Sequence, residues 1–113
     1  MDRRVLTVVR LIQKDLSRKV TLKEMAQAVS LSSVHLRALF KAETGMTPAQ
    51  YQKKLRLSEA RTLLETTFLN SREIMVRVGL NDESHFIRDF KRAYGSTPMR
   101  YRATTSKGGI SSK

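Results

Sequence analysis

The sequence predicts an all-α fold of seven helices, arranged as two copies of a small helical unit joined by a long central helix. Three observations carry this expectation. Apolar residues recur at helical spacing, and no alternating strand pattern competes with them. The chain matches itself when shifted by about fifty residues. Helix-starting and helix-stopping residues stand at corresponding places in both copies.

The repeat is read from individual residues. At a shift of 50, His35 falls on His85, Phe40 on Phe90, Lys41 on Lys91 and Gly45 on Gly95. Thr47-Pro48 falls on Thr97-Pro98, and Tyr51 on Tyr101. Upstream the shift becomes 49, with Glu24 on Glu73, Val29 on Val78 and Leu31 on Leu80. A turn of slightly different length in the two copies accounts for the change of register.

Val5, Val8, Val9, Ile12 and Leu16 form one apolar stripe, which predicts an amphipathic helix over about 3–16. Thr21-x-x-Glu24 and Asn70-x-x-Glu73 resemble capping boxes, opening short helices at about 21–28 and 71–77. Turns follow at Val29-Ser30-Leu31 and Val78-Gly79-Leu80-Asn81, and Ser32 and Asp82 suit the N-caps of the next helices. Those helices should end at Gly45 and Gly95, because glycine accepts the left-handed backbone that closes a helix. Thr47-Pro48 and Thr97-Pro98 then start new helices, with proline at the first helical position. The helix 48–66 has no interior Gly or Pro, and its apolar residues spread over more than one face, as contact with a lobe on each side requires. Residues 103–113 read as a flexible tail after a folded domain over 1–102.

Composition limits the partners. Lys and Arg number 22 against 10 acidic residues, a formal charge of +12 and a pI near 10.8. Such an excess attracts polyanions without choosing among them. No apolar run approaches the roughly 20 residues of a spanning helix, and no signal-peptide pattern opens the chain. The absence of Cys removes disulfides, thiolate metal sites and cysteine nucleophiles, and is compatible with a cytoplasmic location.

A short helix, a tight turn and a second helix form the helix-turn-helix layout, whose second helix enters the DNA major groove. The two such units cover about 21–44 and 71–94. In the first reading helix, Leu36, Leu39 and Phe40 should face inward, leaving Ser33, Val34, Arg37, Ala38 and Lys41 outside. In the second, Phe86, Phe90 and Ala93 should face inward, leaving Ser84, His85, Arg88 and either Lys91 or Arg92 outside. A planar guanidinium matches the O6 and N7 acceptors of guanine, so Arg37 and Arg88 are the leading base readers. On an arbitrary helix an exposed arginine is more often plain solvated charge. Their place in duplicated second helices of a strongly basic chain favours contact.

The stretch Leu31-Ser-Ser-Val-His-Leu-Arg-Ala-Leu-Phe-Lys41, followed by Glu43-Thr-Gly-Met-Thr-Pro-Ala-Gln-Tyr51, resembles the first half of the AraC/XylS signature. Gly79-Leu-Asn-Asp-Glu-Ser-His-Phe-Ile-Arg-Asp-Phe-Lys91, Tyr94-Gly-Ser-Thr-Pro98 and Tyr101-Arg102 resemble its more diagnostic second half, and Arg56-Leu-Ser-Glu-Ala60 resembles the link. The resemblance covers about residues 5–102 and implies two helix-turn-helix lobes joined by a long central helix. It places base contacts at Val34, Arg37 and Ala38 in one lobe and at Ser84, His85 and Arg88 in the other. Ser32, Ser33, Lys41 and Lys91 are the accompanying phosphate candidates. Met75 replaces a usual Ala and Leu80 a common Phe, both at packed positions. Val34 and Ala38 carry no hydrogen-bonding side chain, so any contact they make with a base is apolar, for instance with a thymine methyl.

The implied function is sequence-specific DNA binding and transcription regulation, with activation through RNA polymerase. Double-stranded DNA is the partner, no cofactor or metal is expected, and a further N-terminal effector or dimerisation domain is one that many members carry. The sequence fits both a small regulator and a piece of a longer one. An architectural DNA-binding protein is the alternative; it would be equally basic but read only phosphate and shape. No nucleophile–base set, metal spacing or cofactor loop points to an enzyme. His35 and His85 stand in different copies without a carboxylate cluster, so a shared metal site is not expected; His35 suits packing or phosphate contact. Arg56 suits an internal ion pair and a phosphate contact equally. With a connecting helix of about 28 Å, at 1.5 Å per residue, both readers could engage one asymmetric site with blocks ~34 Å apart.

Overall fold

The computed structural model describes residues 1–111. Among these are seven α-helices and no strand: α1 (Arg3–Lys14), α2 (Leu22–Ala28), α3 (Ser33–Thr44), α4 (Pro48–Thr66), α5 (Ser71–Val78), α6 (Glu83–Tyr94) and α7 (Pro98–Ser111). The chain divides into two compact units, Met1–Leu55 and Arg56 onward, and the boundary falls inside α4.

Each helix begins where the local chemistry satisfies its free N–H groups. Asp2 caps α1, accepting from the Arg4 amide, and the Arg4 hydrogen bonds hold its carboxyl down to about pKa 2. Thr21 and Glu24 close a capping box on α2, and Asn70 and Glu73 close one on α5. Hydrogen bonds from Thr21 keep the Glu24 carboxyl below its ordinary range. Thr47 accepts from the Gln50 amide while Gln50 accepts from the Thr47 amide, so the start of α4 carries the same reciprocal device.

The first unit is built on α1, α2 and α3. Val5, Val8, Val9 and Ile12 of α1 pack with Val20, Met25, Ala26, Leu36 and Phe40. Tyr51 of α4 meets Phe40 edge-on at 5.3 Å between centroids. The second unit buries Leu57, Ala60 and Leu64 of α4 with Ile74, Met75, Val78, Phe86 and Phe90. Phe90 is its hub, with Phe86, Tyr94 and Tyr101 in edge contact at 5.9, 4.8 and 5.6 Å. Tyr51 and Leu55 thus serve one core and Leu57, Ala60 and Leu64 the other, which explains the spread of apolar residues around α4.

One local expectation is corrected. Ala93 is exposed, because the last turn of α6 brings Tyr94 onto Phe90 instead. Helix α7 runs past Arg102, the expected end of the folded domain, to Ser111. Ser112 and Lys113 lie outside the described residues.

Candidate nucleic-acid interface

The two reading helices are set by near-identical turns. In the first unit the Leu31 amide donates to the Ala26 carbonyl at 3.0 Å; in the second, the Leu80 amide donates to the Met75 carbonyl at 2.8 Å. Each turn contains one left-handed residue at the same repeat position, Ser30 (φ 58°) and Gly79 (φ 79°). The next helices are capped alike. The Ser32 hydroxyl accepts from the His35 amide at 3.1 Å and the Asp82 carboxylate from the His85 amide at 2.9 Å. Both end at a left-handed glycine, Gly45 and Gly95.

Burial then selects the outward faces. Leu36 and Phe40 anchor α3, with Leu39 partly covered; Phe86 and Phe90 anchor α6. Val34, Arg37, Ala38 and Lys41 are exposed on α3, and Ser84, His85, Arg88 and Lys91 are exposed on α6. Ser32 is exposed at its cap, while Ser33 is half-buried. Both histidines are exposed, so His35 is not a packing residue. The His85 ring lies beside the cap, with Nδ1 3.6 Å from Asp82 Oδ2. Among the described residues no group of His, Asp and Glu could hold a metal ion.

Three residues near the readers were not legible as such in the sequence. Ile87 occupies the repeat position of Arg37 and is 37% exposed; an aliphatic residue on an amphipathic helix gives no signal of its own. Asp89 is buried within α6, 3.5 Å from the Arg88 Nε. Lys19 joins Arg37, Thr21, Thr47 and Gln52 around a cleft of about 370 Å³ in the first unit. Only the tertiary packing of α2, α3 and the start of α4 brings Lys19 there. Arg56 is half-buried at the start of the second unit, and burial lowers its pKa.

A short helix, a turn with one left-handed residue and a capped second helix with an exposed basic face, twice in one chain, define a DNA-binding domain with two reading heads. A family profile described as a helix-turn-helix domain matches residues 25–104. The transcriptional activator RhaR of Mannheimia succiniciproducens is 34% identical over 92 residues, covering 81% of this chain and 33% of that protein. The C-terminal domain of AraT, a response regulator from Geobacillus stearothermophilus, is 34% identical with a TM-score of 0.84, over 91% of this chain and 86% of that one. The DNA-binding domain of AdpA, a global transcriptional factor solved with a target DNA, gives a TM-score of 0.84 at 26% identity, over 91% and 93% of the two chains. The chain belongs to the AraC-type helix-turn-helix family. It spans about a third of the length of the curated relatives it matches.

Proposed function

We propose that the chain binds double-stranded DNA at a specific sequence and regulates transcription there, activating it through contact with RNA polymerase. The observation that carries this is the pair of exposed, unlike reading faces, Val34, Arg37 and Ala38 on α3 against Ser84, His85 and Arg88 on α6. A protein that only neutralised phosphate would need basic surface but no such arrangement on two second helices. Arg37 and Arg88 read guanine edges, and Lys41, Lys91, Ser32 and Ser33 hold the flanking phosphates. The name of RhaR as an activator supports the sign of regulation, and the AdpA domain's capture on a target DNA supports the partner.

The activity is binding without turnover, and it takes place in the cytoplasm. No helix among the described residues is long and apolar enough to cross a membrane. An effector or dimerisation domain works with the reading heads, as the greater length of the relatives suggests.

Selection of bound duplexes from a random DNA pool tests the proposal. A defined motif should emerge, bound far more tightly than random DNA at the same salt. Binding that enriches no motif and vanishes as salt rises would identify an architectural protein instead. A chelator should leave the affinity for the motif unchanged.

A further inference from the structure

We propose that Asp89 is a positioning residue for DNA recognition, its buried carboxylate holding the Arg88 guanidinium by Nε so that both terminal amino groups aim at a guanine edge. The inference rests on the proposal that α6 reads bases through Arg88 and names the group that orders that reader.

The duplication supplies an internal comparison. At the shift of 50, Arg88 falls on Ala38 and Asp89 on Leu39. Leu39 packs against the first core, so one helix position holds an apolar side chain in one unit and a carboxylate in the other. The two changes go together: the copy with an arginine carries the aspartate beside it. Asp89 is 8% exposed. Burying a carboxylate sacrifices hydration that leucine never had, so the packing of α6 does not account for it. Nor does attraction to DNA, which a negative charge on a reading helix opposes. Arg88 does account for it. Its Nε–H donates to the Asp89 Oδ1 at 3.5 Å, a long hydrogen bond strengthened by the opposite charges. The Arg88 side chain is 55% exposed and that of Asp89 10%, so the carboxylate is the fixed member and the guanidinium the free one. A surface arginine loses much rotamer freedom when it docks on a base. A tie at Nε removes part of that freedom before DNA arrives. It leaves both terminal amino groups for the O6 and N7 of guanine. The carboxylate also repels phosphate oxygens, which turns Arg88 from the backbone toward the base edge.

On the selected motif, the block read by α6 is the one whose preference relaxes in Arg88→Ala. Asp89→Leu installs the residue found at the matching position, Leu39, and Asp89→Asn keeps the size and removes the charge. Should the leucine variant not fold, Asp89→Asn carries the same test. Both variants lose a negative charge, so affinity for random duplexes should hold or rise. Affinity for the motif should instead fall roughly three- to tenfold, the cost of ordering one long side chain. The preference for guanine should relax at the Arg88 position. In an Arg88→Ala chain the same substitutions should weaken motif binding no further, because the side chain they release is gone. In the free protein the Arg88 Nε–H resonance, assigned by its loss in Arg88→Ala, should move in Asp89→Asn. Unchanged guanine preference in the Asp89 variants, while Arg88→Ala still relaxes it, overturns the positioning role and leaves Arg88 as a reader. So does a motif loss that persists in full in the Arg88→Ala chain, or one matched on random duplexes with lower thermal stability, since either makes Asp89 a part of the fold alone. An Arg88→Ala chain that relaxes no position overturns both.

Discussion

Ser30 holds a left-handed backbone, φ 58°, at the turn position that the second unit fills with Gly79 at φ 79°. For an L-residue with a Cβ this conformation costs roughly 1–2 kcal/mol, whereas glycine adopts it freely and loses some of the gain through a more flexible unfolded chain. Ser30→Gly should therefore stabilise the protein by about 0.5–1 kcal/mol, and Gly79→Ala should destabilise it by about 1 kcal/mol. Thermal unfolding of the two variants checks this, and a less stable Ser30→Gly would contradict the strain assigned to the turn. Replacing Arg37 or Arg88 by Ala should cost about 1–3 kcal/mol on the selected motif and relax preference at one position. Equal losses on motif and random duplexes would reduce both to phosphate contacts. The exposure of these arginines was legible in the sequence because helical periodicity fixes which positions lie opposite Leu36, Phe40, Phe86 and Phe90. That of Ile87 was not, since an aliphatic residue reads as core until its exposure is known. The strain at Ser30 was equally invisible, because a serine in a turn does not disclose the sign of its φ.

At the scale of helices, boundaries were largely legible, because capping chemistry is local. Thr21 with Glu24, Asn70 with Glu73, and the glycines after α3 and α6 are all read within a few residues of the event they control. What escaped is how α4 ends. The Arg102 Nε donates to the Leu64 carbonyl at 3.1 Å and its Nη2 to the Thr67 carbonyl at 3.2 Å, so a residue of α7 satisfies carbonyls left free at the end of α4. Beside it the Tyr101 hydroxyl donates to Glu65, which raises the Tyr101 pKa. A link across more than thirty residues has no sequence signature. Arg102→Ala should lower stability by about 2 kcal/mol, the scale of charged hydrogen bonds to backbone. Arg102→Lys should recover only part of that loss, since an ammonium cannot span both carbonyls as the guanidinium fork does. Chemical denaturation of the pair would measure it, and an Arg102→Ala as stable as the parent chain would show that water replaces the link at no cost.

For the whole molecule, the duplication was the feature most open to reading, since two copies in one chain mark themselves by self-similarity. Their divergence has a consequence for the DNA. Identical helices related by a two-fold axis require a palindrome, but Val34, Arg37 and Ala38 are not Ser84, His85 and Arg88. The selected motif should therefore hold two unlike blocks, with one chain per duplex by native mass spectrometry. A palindrome carrying two chains would mean that α3 and α6 do not read one site together. The two separate hydrophobic cores add a kinetic consequence. With both heads carried on one chain, engagement of the second on the same duplex should be intramolecular and independent of protein concentration. Damage to a single head should then leave the arrival rate nearly untouched and appear as a shortened residence time.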